Sequence, residues 1–138
     1  MQERVLIVCA LTAVILLVAG AMRRRARQRA DRARAAALPP EIQRLLPSRG
    51  AAILYFRGPH CAACVRQARV LEALASQLDV RIIPLDAARE SQIAGHFGVL
   101  TVPATVVVDH SHRVHAINLG FRARVDLAAQ METASAAS

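Results

Sequence analysis

The sequence has no lysine, no tryptophan, a single tyrosine and only three cysteines in 138 residues. Three cysteines do not make the framework of a disulfide-stapled secreted scaffold. Cys9 lies inside an apolar run, so Cys61 and Cys64 are the only two that can pair locally. With no lysine, every strong base is arginine; together with the abundance of alanine this reads as coding bias rather than physics. Acids are few as well, and the formal net charge is +8. That excess is uneven. Residues 1–37 carry eight Arg and two acids, a formal +6, whereas residues 38–138 carry ten Arg and eight acids, a formal +2. A folded part so nearly balanced argues against a nucleic-acid-binding domain. The length leaves room for one small domain and one extra segment.

Charge and proline are both missing from Val5 to Met22. As a helix these 18 residues span about 27 Å, close to the ~30 Å hydrocarbon core of a bilayer. Arg23, Arg24, Arg25, Arg27, Arg29, Arg32 and Arg34 follow; only Glu3, Arg4 and the α-amino group precede. The positive-inside rule puts the Arg-rich side in the cytoplasm and the N-terminus outside. A cleaved signal peptide carries its positive charge before the apolar run, although Ala19-Gly20-Ala21 resembles a cleavage site; export of the domain is the alternative. The expected organisation is a tail over 1–4, a transmembrane helix over 5–22, an Arg/Ala-rich juxtamembrane linker over 23–40, a globular domain over 41–132 and a flexible tail over 133–138. The basic linker is expected to attract anionic lipid headgroups at about 1 kcal/mol per basic residue.

Within the globular part, Glu41 to Leu46 is a short helical candidate. Ala51 to Arg57 reads as a strand buried on both faces, since Ile53, Leu54, Tyr55 and Phe56 show no polar alternation. Gly58-Pro59 breaks it. Cys64, Ala68, Leu71, Leu74, Ala75 and Leu78 recur at helical spacing and predict a helix over Cys61 to Leu78. A second strand follows over Val80 to Leu85, then a helix over Ala88 to His96. Strands are expected over Thr105 to Val108 and Val114 to Asn118, and a closing helix over Arg122 to Glu132, with Val125, Leu127, Ala128 and Met131 inward. The order β-α-β-α-β-β-α implies an α/β fold: one parallel pair with a right-handed crossover, one antiparallel pair, and helices on both faces of a mixed sheet.

The chemistry concentrates at Cys61-Ala62-Ala63-Cys64, which a strand delivers onto a helix N-terminus. That placement suits thiol–disulfide exchange. Unpaired amides and the positive end of the helix dipole stabilise a Cys61 thiolate, the nucleophile. Cys64, one turn on, is close enough to resolve a mixed disulfide.

With the CxxC at a strand-to-helix junction, Val102-Pro103 before a β-branched strand and Gly120 after the fourth strand, residues 41–132 resemble a thioredoxin-like domain. The resemblance implies a mixed four-stranded sheet flanked by helices and a cis Val102–Pro103 bond against Cys61, a form proline makes accessible at ~0.5–1 kcal/mol. It further implies that Val102 pairs through its backbone with an extended substrate strand, and that Gly120 borders the active site. Expected partners are disulfide-containing protein substrates and an unidentified electron donor; no cofactor is expected.

The departures are specific. His60 stands where the family commonly has Trp, and Ala62-Ala63 where it has Gly-Pro. Tyr55 occupies the place of a buried acid under the second cysteine, and there is no lysine to partner one. His60 is a candidate modulator, as a base or as a cation favouring the thiolate, or else an exposed surface residue. Tyr55 reads as core packing. Two other functions stay open. A metal could use Cys61 and Cys64 with His60, or draw on His110, His112 and His115, although a zinc site needs four ligands. A non-catalytic thioredoxin-like scaffold could dock partners at the membrane.

Overall fold

The computed structural model describes the backbone of all residues except 36, 37, 49, 137 and 138, and side chains except in those residues and in 2–9, 26, 27 and 29–35. Helix α1 (Gln2–Ala35) is followed by α2 (Pro40–Leu45), β1 (Ala51–Arg57), α3 (Ala62–Ala75), β2 (Val80–Asp86), α4 (Ser91–His96), β3 (Ala104–Val108), β4 (Val114–Leu119) and α5 (Arg124–Ala136). The strands form one sheet in the order β2-β1-β3-β4. β1 and β2 are parallel, with Leu54 beside Ile83; β1 and β3 are antiparallel, with Leu54 beside Val106. β3 and β4 are antiparallel, and their register shifts at Val107/Val108. Pro84 is tolerated because β2 is an edge strand, where a missing N–H leaves no ladder bond unmade on the outer side.

The central strand divides the core by its period of two. Ala52, Leu54 and Phe56 face a layer containing Ile42, Ile83, Leu85 and Phe97, under α2 and α4. Ala51, Ile53 and Tyr55 face Leu71, Leu74, Leu127 and Met131, under α3 and α5. This two-sided burial is why β1 shows no polar alternation until Arg57. Leu38, assigned from the sequence to the linker, is 5% exposed and belongs to the first layer.

Several boundaries differ from expectation for local reasons. The helix expected from Ala88 begins at Ser91, because the Asp86 carboxylate accepts the Ala88 and Arg89 amides at 3.0 and 3.1 Å and holds a turn there. The helix expected to reach Leu78 ends at Ala75. The tail expected over 133–138 is helical to Ala136, and Ala134 is fully buried. Val125, expected inward, is 73% exposed: Leu127, Met131 and Ala134 make the buried stripe, and Val125 sits two residues before it, on the opposite side of the helix.

α1 does not stop where the arginines begin; a single helix runs through the expected span and most of the expected linker, and it approaches the sheet at β4. Leu11, Val14, Ile15, Leu16, Leu17, Val18 and Met22 are all exposed on it. Among the described residues no helix is long and apolar enough to cross a membrane. The expected span Val5–Met22 falls partly outside them, since the side chains of Val5 to Cys9 are not described.

Candidate active site

β1 ends at Arg57, and a short loop carries the chain over Gly58, Pro59 and His60 to the start of α3. Space in this loop is tight: a Cβ on Gly58 would meet Val102 Cγ2 at 3.2 Å. His60 adopts φ +53°, a left-handed conformation uncommon for a residue with a Cβ. Its side chain is exposed. Cys61 is then the N-cap of α3, and its Sγ accepts the Cys64 amide at 3.1 Å. A sulfur in this place occupies the position of a capping oxygen, against the amides that the first helical turn leaves unpaired. No acid occupies that first turn. Negative charge on Cys61 Sγ therefore meets donors and the helix dipole and no opposing carboxylate within the turn.

Cys61 and Cys64 form a disulfide, with their Cα atoms 5.2 Å apart. The two cysteines differ in access: Cys61 is half-buried, whereas Cys64 is 5% exposed. Beneath Cys64 lies Tyr55, whose hydroxyl donates to the Cys64 carbonyl at 2.6 Å. Burial raises the Tyr55 hydroxyl above its ordinary value of 10.0, and Arg57 pulls weakly the other way. The sequence reading of Tyr55 as packing is thus incomplete, since the ring is in the core and its hydroxyl holds the turn that bears Cys64.

The Val102–Pro103 peptide bond is cis, and Val102 O lies 3.9 Å from Cys61 Sγ. Pro103 O accepts the Gly120 amide at 2.9 Å, and Gly120 has φ +91°, which glycine adopts without the Cβ penalty. The chain beyond Gly120 is tied to α3 by Gln67, which is fully buried. The Gln67 amide nitrogen donates to Arg122 O at 3.1 Å, and its oxygen accepts the Arg122 amide at 2.7 Å. Cys61, Cys64, Val102, Pro103 and Gly120 are therefore gathered at one end of the sheet, with His60 at the rim.

Tyr55 was placed under the second cysteine by the sequence, but Gly58 and Gln67 were missed as site-building residues. Gln67 had a signal: it is polar on the same helical face as Cys64, Leu71 and Leu74. The histidines do not assemble. His112 Nε2 lies 3.1 Å from the Pro47 carbonyl, and His110 Nε2 lies 3.1 Å from Ser111 Oγ. Among the described residues no group of three His, Cys, Asp or Glu is placed to hold a metal ion.

A family model described as TraF, F plasmid transfer operon protein, matches residues 20–131. No curated protein matches the chain. Similar solved structures include a mutant thioredoxin from Halobacterium salinarum, at 20% identity and a TM-score of 0.62 over 71% of this chain and 86% of that one. The thioredoxin of Fasciola hepatica gives 18% identity and a TM-score of 0.60 over 69% and 92%. The MTB protein dsbF gives 21% and 0.53 over 62% and 81%. At these identities the structures establish a thioredoxin-like fold, while the family match spans most of the sequence: the chain belongs to the TraF family of F plasmid transfer operon proteins.

Proposed function

We propose that the protein is a membrane-anchored thiol–disulfide oxidoreductase that reduces protein disulfides through Cys61 and Cys64. The observation that carries this reading is the asymmetry of the pair: a half-buried cysteine whose sulfur caps α3 and a buried cysteine a turn later. In the reduced enzyme, Cys61 thiolate attacks one sulfur of a substrate disulfide. The substrate S–S bond breaks, a Cys61–substrate disulfide forms, and the departing substrate thiolate takes a proton. Cys64, as thiolate, then attacks Cys61 Sγ and releases the second substrate thiolate, which is also protonated. Two electrons and two protons have passed to the substrate, and the enzyme is left with the Cys61–Cys64 disulfide. A dithiol donor returns it to the reduced form by the reverse exchange.

Val102 and Pro103 supply the edge against which an extended substrate segment lies, with the Val102 carbonyl beside the reacting sulfur. The apolar first half of α1 is the anchor, and the arginines after it favour a domain on the cytoplasmic side. The family's description supports seeking substrates among proteins made for plasmid transfer.

Insulin reduction by the full chain, with dithiothreitol as recycling reductant, tests the chemistry. The expected result is precipitation of the insulin B chain faster than with dithiothreitol alone, lost in Cys61→Ser. An unchanged rate would sink the assignment.

A further inference from the structure

We propose that Arg57 is a specificity-determining residue, selecting protein disulfides that carry an acidic side chain next to the reacting cysteine. The inference rests on the thiol–disulfide reading above and adds a substrate class to it. An open groove of about 530 Å³ lies beside the two cysteines, bounded by Tyr55, Arg57, His60, Val65 and Ala68. Its floor is apolar, and its ionisable side chains other than Tyr55 and the cysteines are Arg57 and His60; no carboxylate lines it.

Arg57 is exposed and stands opposite Asp86 in the β1–β2 register. Asp86 is already engaged, because its carboxylate accepts the Ala88 and Arg89 amides, and those bonds, more than Arg57, hold its carboxyl below the usual range. Arg57 therefore stays within electrostatic reach of Asp86, while the groove that it lines holds no carboxylate of its own. A second groove of about 490 Å³ meets the first at Tyr55, Arg57 and Ala68, and there Ile82 and Pro84 add apolar wall while Glu72 supplies the one acid. Cys61 lines only the first groove, Glu72 only the second and Arg57 both, so the part of a substrate that extends from Cys61 away from Val102 and into these grooves meets Arg57 before Glu72. Its charge complement is an acid close to the cysteine with apolar residues beyond. A planar, permanently charged guanidinium is suited to hold a carboxylate by two parallel hydrogen bonds.

The test uses the reduced full chain in single turnover at low salt, with two synthetic peptides. Each contains one internal disulfide, and they differ only in Glu or Lys beside the cysteine that is attacked. Neutral hydroxyethyl disulfide is the third substrate. The wild type should oxidise faster with the Glu peptide by roughly three- to ten-fold, the range of an exposed attraction set against an exposed repulsion. Arg57→Glu should bring the Glu/Lys ratio below unity, and Arg57→Gln should bring it towards unity. A ratio between two peptides cancels any change in thiolate reactivity. Reaction with hydroxyethyl disulfide together with a wild-type ratio near unity, or a ratio unchanged in Arg57→Glu, overturns the proposal alone. No reaction with hydroxyethyl disulfide overturns the thiol reading and this proposal with it.

Discussion

Cys61 and Cys64 are separated by two alanines yet occupy opposite environments, and the roles proposed for them follow from that. Cys64→Ser should leave Cys61 able to attack and unable to be released, so mixed disulfides with substrates should accumulate on non-reducing gels; a protein that merely docks partners would show none. Tyr55 offers a sharper probe because it is the only tyrosine. Its hydroxyl is raised by burial, so the tyrosinate absorbance band of the folded chain should appear with a midpoint above 10.0. The sign for stability is set by the same shift. A group whose folded value is raised holds its proton longer in the folded state, so its contribution is complete below pH 10.0 and is lost as pH rises through the folded value. Tyr55→Phe should abolish that alkaline loss. It also removes the second donor to the Cys64 carbonyl, which keeps its place in the helical ladder, at about 0.5–1.5 kcal/mol, readable by urea unfolding.

At the scale of elements, the strands were the most legible part of the sequence. β1 lies where its unbroken apolar run places it, because a strand buried on both faces needs only local composition to be seen. α4 and α5 were less legible. The turn before α4 depends on one carboxylate choosing two particular amides, and the buried stripe of α5 depends on how the helix is rotated against β1 and β3. The site divides in the same way. Cys61, Cys64, Val102, Pro103 and Gly120 are recognisable from order and spacing, whereas the Gln67 clamp joins residues 55 positions apart and exists only after folding. Gln67→Ala should cost about 1–3 kcal/mol through the unpaired Arg122 backbone groups, and should speed hydrogen exchange at the Arg122 amide more than at the amides of β1. Leu54→Ala, at a fully buried position of the central strand, should cost about 2–5 kcal/mol with exchange rising throughout the sheet. The contrast separates a local tie from the global core.

For the whole molecule, the decisive asymmetry is electrical. Exposed Leu11, Val14, Ile15, Leu16, Leu17 and Val18 on α1 are followed by seven arginines within the stretch from Arg23 to Arg34, and the folded domain comes after both. If α1 anchors the protein as proposed, this arrangement would keep the arginines, and with them the CxxC, on the cytoplasmic side. The side matters because it fixes the direction of electron flow. In a reducing cytoplasm Cys61 and Cys64 are maintained as a dithiol and act as a reductant; outside it the same pair would need a dedicated electron supply. A membrane-impermeant maleimide applied to intact, pre-reduced cells separates the two. In a Cys9→Ser background, which removes the one thiol outside the CxxC pair, Cys61 should stay unlabelled until the cells are lysed. Under the proposed anchoring, replacing Arg23, Arg24, Arg25, Arg27, Arg29, Arg32 and Arg34 by Gln removes the charge that would orient the helix, so labelling before lysis should rise. Strong labelling of the unaltered arginine sequence in intact cells would reverse the assigned side, and with it the expected direction of the reaction, while leaving the geometry around Cys61 unchanged.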